Sequence, residues 1–191
     1  ARGDVAVRRI LLDHGARRHH GGLAHLVHRH AVVQVAQGSL ADEARIRREV
    51  LGAEASQAEM ATRYAEYFPQ FIAQGIEAEL LDPELAKFDL ARLGKALQAD
   101  RDLQFGYLGL QTLYDRYFLH VRGRRIELPQ AFFMRVAMGL ALEEKDREGR
   151  AIEFYDLLSS FDFMSSTPTL FNSGTQRSQL SSCYLTTVSD D

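Results

Sequence analysis

Residues 56–81 read SQAEMATRYAEYFPQFIAQGIEAELL. Met60, Tyr64, Tyr67, Phe68, Phe71 and Ile72 recur there at spacings of three and four, the period of an amphipathic helix. Pro69 falls inside the run. It has no N–H to give and its ring crowds the preceding turn, so it should kink or divide the helix. Downstream, Asp82-Pro83 reads as an N-cap followed by proline at the first helical position. Asp89 can cap a further turn, LARLGKAL. A helix is expected from Leu103 to Phe118, carrying Phe105, Leu108, Leu113 and Tyr117 among polar residues. The stretch YFLHVRGRRIELP alternates on both sides of Arg122-Gly123, which predicts a short hairpin turning at the glycine. Pro129 then opens PQAFFMRVAMGLAL, with Phe132, Phe133, Val136, Met138 and Leu140 on an apolar face. Residues 146–166 give one more amphipathic helix through Ile152, Tyr155, Leu158 and Phe161. Apolar stripes at helical spacing need no cause beyond a core. Glu143, Glu144, Asp146, Arg147 and Glu148 read as a solvated junction between helices, and His120, beside a turn, as structural.

The 191 residues allow one domain, or one and a part, and 46% hydrophobic residues are enough for a core. A net charge of −3 gives no reason to expect nucleic acid or an acidic membrane surface as partner. No apolar run is long enough to span a bilayer, and no signal peptide opens the sequence. A single cysteine excludes an intrachain disulfide framework and fits a reducing, cytoplasmic compartment.

The averages hide a break. Residues 1–59 contain no Phe, Tyr, Trp, Lys, Asn, Thr, Pro or Cys, and every aromatic residue lies after position 60. His14, His19, His20, His25, His28 and His30 crowd the same segment, with nine arginines. One reading is a histidine-rich metal-binding regulatory protein, yet no carboxylate or cysteine stands at ligand spacing. Another is a basic nucleic-acid arm from Arg17, Arg18 and Arg29, which lacks interleaved aromatics for stacking. The third is that the composition comes from GC-rich coding DNA read in a wrong frame, with a frameshift or mis-set start upstream of about residue 56. Segment 1–59 is accordingly set apart as frameshifted or disordered sequence, 60–163 as a helical domain, and 164–191 as the start of something else.

After position 163 the pattern changes. SSTPTLFNSGTQRSQLSSCYLTTV is rich in Ser and Thr and turns at Asn172-Ser173-Gly174. QLSSCYLTTV has the β-branched and aromatic content of a strand, and it holds Cys183. Small hydroxyl residues can bond a phosphate or sugar hydroxyl at close range, and a thiol there faces whatever they hold. A lone cysteine is otherwise an ordinary buried thiol, and Thr167 and Ser182 are ordinary turn and strand hydroxyls. A stand-alone helical interaction module with a strand tail is the competing class, but it has no evident need for the hydroxyl-rich block.

That block, STPTLFNSGTQRSQLSSCYL, resembles a segment of the large, catalytic subunit of class I ribonucleotide reductases. RDLQFGYLGLQTLYDRYFL and RGRRIELPQAFFMRVAMGLAL are similar to the helical region that precedes it. The resemblance covers about residues 60–191; residues 1–59 do not resemble what that family carries there. It implies a mainly α N-terminal domain leading into the first strands of a ten-stranded α/β barrel. It implies reduction of ribonucleoside diphosphates to deoxyribonucleoside diphosphates by radical and dithiol chemistry. Cys183 would be one of two cysteines that reduce the ribose 2′ position, with Thr167 and Ser182 binding the substrate beside it. Asp190 and Asp191 match the start of the loop that reads an ATP or dNTP effector, with Asp191 the favoured contact. The expected partners are a small subunit with a metal-radical centre, a second large subunit, and thioredoxin or glutaredoxin as reductant.

One cysteine cannot run this reaction. The family mechanism needs a second redox cysteine, a third that carries the radical, an Asn and a Glu beside it, and a C-terminal cysteine pair. The sequence therefore reads as a fragment of the catalytic subunit with its barrel truncated. The expectation is that the 191-residue chain alone does not turn over and is marginally soluble, its orphan strands exposing unpaired edges.

Overall fold

The computed structural model describes residues 41–183, all within one unit of the chain. Among the described residues, 41–51 form the first helix, α1, which buries Glu43, Ile46, Arg47 and Val50 along one stripe at spacings of three and four. The compositional break near residue 59 therefore does not mark the structural boundary, because α1 packs into the same core as the aromatic helices after it. Ile46 and Val50 supply apolar contacts there without any aromatic side chain. The histidine tract 14–30 lies outside the described residues.

The Glu59 carboxylate accepts from the Ser56 N–H and hydroxyl at 2.9 and 2.7 Å, and α2 follows over Met60–Glu77. Its buried face is Met60, Tyr64, Phe68, Phe71, Ile72 and Gly75, the stripe expected from spacing; Tyr67 lies at its edge, half-buried. Pro69 sits within α2 without dividing it. The proline cannot donate to the carbonyl of Ala65 four residues earlier. Gly94 of α3 (Leu90–Ala96) comes up against that carbonyl, so closely that a Cβ on Gly94 would stand 3.1 Å from the oxygen. The Asp82 and Asp89 carboxylates accept from the Glu84 and Arg92 N–H groups, each at 2.9 Å, as capping predicts.

The helix expected over 103–118 is in three pieces. A 3₁₀ segment spans Ala99–Gln104, α4 spans Tyr107–Thr112, and a π-helical turn spans Leu113–Tyr117. Gly106 is extended (φ −73°, ψ 157°) and Asp102 is buried, so the chain is pinned at 102 and bends at 106. The hairpin forms where alternation placed it: β1 (His120–Val121) pairs antiparallel with β2 (Arg124–Arg125), His120 opposite Arg125. Arg122 and Gly123 both take positive φ, 50° and 81°, as a two-residue turn between twisted strands requires.

Helix α5 (Pro129–Leu140) is the centre of the body: every residue from Pro129 to Met138 is buried. It packs against α6 (Arg147–Ser159), while α2 packs against α3. The Asp146 carboxylate caps α6 through the Gly149 N–H at 3.1 Å. Phe161, expected to extend the α6 stripe, lies beyond the helix at φ +62° and is 40% exposed. A last short helix, α7, covers Thr167–Asn172. The described part is thus mainly helical with one two-stranded sheet. Residues 179–183 are irregular rather than strand, and Cys183 is exposed rather than buried. Among the described residues no strand lies alongside to pair with them.

Candidate functional site

The segment that carries the hydroxyl-rich block is fastened to α5 by a buried arginine. Arg135 is fully buried, and its Nε donates to Glu127 Oε1 at 2.9 Å. Its Nη1 reaches three carbonyls at the end of α7: Leu170 at 3.2 Å, Phe171 at 3.3 Å and Ser173 at 2.7 Å. Those carbonyls have no helical partner, and a cation at a helix C-terminus also suits the helix dipole. Glu127 is fixed in turn, since its Oε2 accepts from the Leu119 N–H at 2.7 Å. Ser173 adds a hydroxyl donation to the Val136 carbonyl at 2.7 Å.

Two glycines allow that approach. A Cβ on Gly139 would overlap the Gly174 nitrogen and Ser173 Oγ. Gly174 has φ +75°, and a Cβ there would stand 2.7 Å from the Arg135 carbonyl. The chain is then strapped to residues 80–82: the Asp82 N–H donates to Gly174 O at 3.1 Å and the Gln176 N–H to Leu80 O at 3.2 Å.

Beyond this strap the chain folds back on α7. Asn172 Nδ2 donates to the Gln179 carbonyl at 2.8 Å, and the Thr169 hydroxyl lies 3.4 Å from the Leu180 carbonyl. The stretch Ser181–Cys183 therefore leaves the body beside α7, with Ser182 and Cys183 both exposed. Thr167 is exposed as the first residue of α7, its hydroxyl 3.4 Å from that of Tyr117. The structure thus places Thr167, Ser182 and Cys183 on two neighbouring segments that are tied together. Asp190 and Asp191 lie outside the described residues.

A second polar group is buried between the helices. Asp102 accepts from the Tyr64 hydroxyl at 2.8 Å and from Gln130 Nε2 at 2.8 Å, with Arg47 Nη2 at 3.6 Å. The Tyr155 hydroxyl donates to Gln130 Oε1 at 2.7 Å and accepts from the Gln98 N–H at 2.8 Å. Burial pushes the Asp102 carboxyl up to about 6, against the opposing pull of Gln130, Tyr64 and Arg47. Burial also raises Tyr64 well above its ordinary value, and Tyr155 to about 12. Among the described residues no buried side-chain polar atom lacks a partner. Among the described residues, a void of about 10 Å³ lies beside this cluster, one water at most. The cluster joins α1, α2, α5 and α6 and has no room for a substrate.

Sequence reasoning missed Arg135, Glu127, Asp102 and Gln130. The one available signal was a charge inside AFFMRVAM, where helical spacing places Arg135 among apolar neighbours. An apolar groove of about 470 Å³ runs past Phe105, Leu108, Tyr117, Phe133 and Met164. No carboxylate, imidazole or thiol lines it, and its polar residues are Gln104, Thr112 and Tyr117. Among the described residues no cluster of three or more His, Cys, Asp or Glu could hold a metal, and no helix is long and apolar enough to cross a membrane.

Residues 103–178, from the 3₁₀ segment through α7, match the family described as ribonucleotide reductase, all-alpha domain. This helical body belongs to the ribonucleotide reductase large-subunit family. The chain is 57% identical over 129 residues to the ribonucleoside-diphosphate reductase subunit alpha of Chlamydia muridarum, covering 67% of this chain and 12% of that protein. It is 49% identical over 106 residues to the subunit alpha of Helicobacter pylori strain 26695, 55% of this chain and 14% of the relative. It is 44% identical over 116 residues to the ribonucleoside-diphosphate reductase large subunit of Danio rerio, 61% and 14%. The chain thus spans about one eighth of the length of these relatives. The Arg135 anchor and the strap on residues 173–176 both fall within the stretch matched to the all-alpha domain.

Proposed function

We propose that this chain forms the helical entry to the catalytic subunit of a class I ribonucleoside-diphosphate reductase, and that Cys183 is one of the two thiols that reduce the substrate ribose. The observation that carries the reading is an exposed Cys183 at the end of a segment anchored to an all-alpha domain of that family. In this reading the chain is followed by an α/β barrel, which residues 164–191 begin.

The chemistry follows from electron count. Replacing the 2′-hydroxyl by hydrogen, with loss of water, needs two electrons; two thiols supply both and become one disulfide. The pair must therefore stand within bonding distance of each other and against the sugar. Cys183 supplies one thiol, and a second cysteine of the intact subunit supplies the other. Thr167 and Ser182 offer hydroxyl donors to the diphosphate and ribose, with Arg135 holding the backbone that carries Thr167. A thiyl radical on a further cysteine starts the reaction, generated from the metal-radical centre of a small-subunit partner. Thioredoxin or glutaredoxin reopens the disulfide. Asp191, with Asp190 beside it, reads an ATP or dNTP effector, and the working unit is a cytoplasmic homodimer of large subunits joined by the small subunit.

The test is turnover of cytidine diphosphate by the full subunit carrying this sequence, with small subunit and dithiothreitol supplied. Deoxycytidine diphosphate forms, and Cys183→Ser lowers the rate at least a thousandfold while the helical circular dichroism is unchanged. A Cys183→Ser subunit that keeps its rate overturns the assignment.

A further inference from the structure

The π-helical turn Leu113–Tyr117 touches two parts of the molecule at once, and the function above does not use it. On one side, Tyr114 is held by α1. Its ring lies between two guanidinium groups, Arg45 at 4.3 Å and Arg125 at 4.6 Å from the centroid. Its hydroxyl donates to Glu49 Oε2 at 2.7 Å. Glu49 also accepts the Arg125 N–H on Oε1 at 2.7 Å, and its carbonyl accepts from Arg124 Nε at 2.7 Å. Arg125 Nε closes the ring of contacts by donating to the Tyr114 carbonyl at 2.9 Å. So α1, the hairpin and the turn form one hydrogen-bonded knot.

On the other side, Tyr117 faces α7. Its ring stacks on Phe171 with centroids 4.5 Å apart and planes 15° apart, and meets Phe132 of α5 edge-on at 6.2 Å. Its hydroxyl stands 3.4 Å from the Thr167 hydroxyl, long for an O–H···O bond. The stack holds the helix, and the hydroxyl only steers Thr167. The turn is rigid at its end, where the Phe118 N–H donates to the Leu113 carbonyl at 2.9 Å.

We propose that Tyr117 is a positioning residue for the substrate-binding hydroxyl of Thr167, and that Tyr114, in the same π turn, ties that position to the docking of α1. The inference rests on the reading that Thr167 contacts the ribonucleoside diphosphate. A loosened α1 frees Tyr114, lets the turn relax, and shifts Thr167 at the start of α7, while Arg135 and the ties from Thr169 and Asn172 hold the end of α7 and the Cys183 segment in place. Binding of the diphosphate then weakens, and the chemical step does not.

The experiment uses the full subunit with its small subunit and dithiothreitol, and reads KM and kcat for cytidine diphosphate separately. Phe171→Leu removes one ring of the stack from a 37% exposed position, and circular dichroism checks that the helices are kept. Tyr117→Leu removes the other. Each raises KM about tenfold, the size of a lost aromatic pair, with kcat within about twofold. Tyr117→Phe restores KM to within about threefold, because the ring remains. Glu49→Gln, on the far side of the turn, raises KM about threefold, and its effect in Tyr117→Leu is smaller than in the wild type. An unchanged KM in Phe171→Leu overturns the positioning role; an unchanged KM in Glu49→Gln overturns the tie to α1. A wild-type subunit with no turnover at all contradicts the reductase reading instead, so the two failures are distinct.

Discussion

Replacing Arg135 by methionine should cost the fold more than any other single change in the described core. The guanidinium is fully buried, carries the ion pair to Glu127, and satisfies three carbonyls at the end of α7. Removing one partner of a buried pair leaves the other charge buried without its counter-ion, a penalty of about 3–5 kcal/mol. A domain of this size has only about 5–15 kcal/mol to lose, so Arg135→Met sits near the edge of stability. Lysine does not rescue it, because one ammonium cannot serve a carboxylate and three carbonyls in that planar arrangement. The double variant Glu127→Met/Arg135→Met separates the two duties. Replacing both charges by apolar groups is often neutral, so most of the ion-pair penalty should return. The carbonyls of Leu170, Phe171 and Ser173 stay unserved in either case. Urea unfolding of the four combinations gives the cycle, and amide hydrogen exchange at Ser173 and Leu170 reports the α7 end. Arg135→Met should lose about 3–5 kcal/mol, and the double variant should regain at least half of that yet still exchange fast at both amides. A single variant within about 1 kcal/mol of wild type would refute the reasoning, because it would mean that the pair is not what holds α5 to the segment.

Asp102 gives a pH prediction. Its carboxyl is raised from 3.8 to about 6 in the folded chain, so the folded state favours the protonated form. Its contribution is therefore fully present below about pH 4 and is lost as pH rises through about 6, on the order of 3 kcal/mol in all. Urea midpoints from pH 4 to 7 should fall for wild type relative to Asp102→Asn; the opposite slope would show that Arg47, at 3.6 Å, outweighs burial. Gly139→Ala should cost about 1–3 kcal/mol and speed exchange at the Asp82 amide, since its Cβ would overlap the Gly174 backbone. Gly106→Ala, with open space around its Cβ, should change neither, and equal effects at both glycines would contradict the packing argument.

The parts legible in the sequence were those with a period or a cap. The α2 stripe, the Asp82 and Asp89 caps, Pro129 at the start of α5 and the hairpin at Arg122-Gly123 each rest on local chemistry, and the structure has them. The failures have physical causes too. Pro69 does not divide α2, and Gly94 of α3 closes on the carbonyl it leaves free. The 103–118 run breaks because Asp102 is bonded by partners 28 and 38 residues away in sequence, which no local pattern encodes. The same applies to Arg135, whose carbonyl partners lie 35 to 38 residues downstream. Composition misplaced the start of the body because α1 builds its buried face from Ile46, Val50 and two charged residues rather than aromatics. For the candidate site, periodicity said nothing; Cys183, Thr167 and Ser182 were found through the resemblance of the block that carries them.

The most direct test of the account is the oxidation state of Cys183 after a single turnover. The full subunit, pre-reduced and freed of dithiol, is mixed with the small subunit and cytidine diphosphate, and the peptide holding Cys183 is then examined by mass spectrometry without reduction. The account predicts one deoxycytidine diphosphate per active site and Cys183 in a disulfide with a second cysteine of the subunit. Deoxycytidine diphosphate formed while Cys183 remains a free thiol would contradict it.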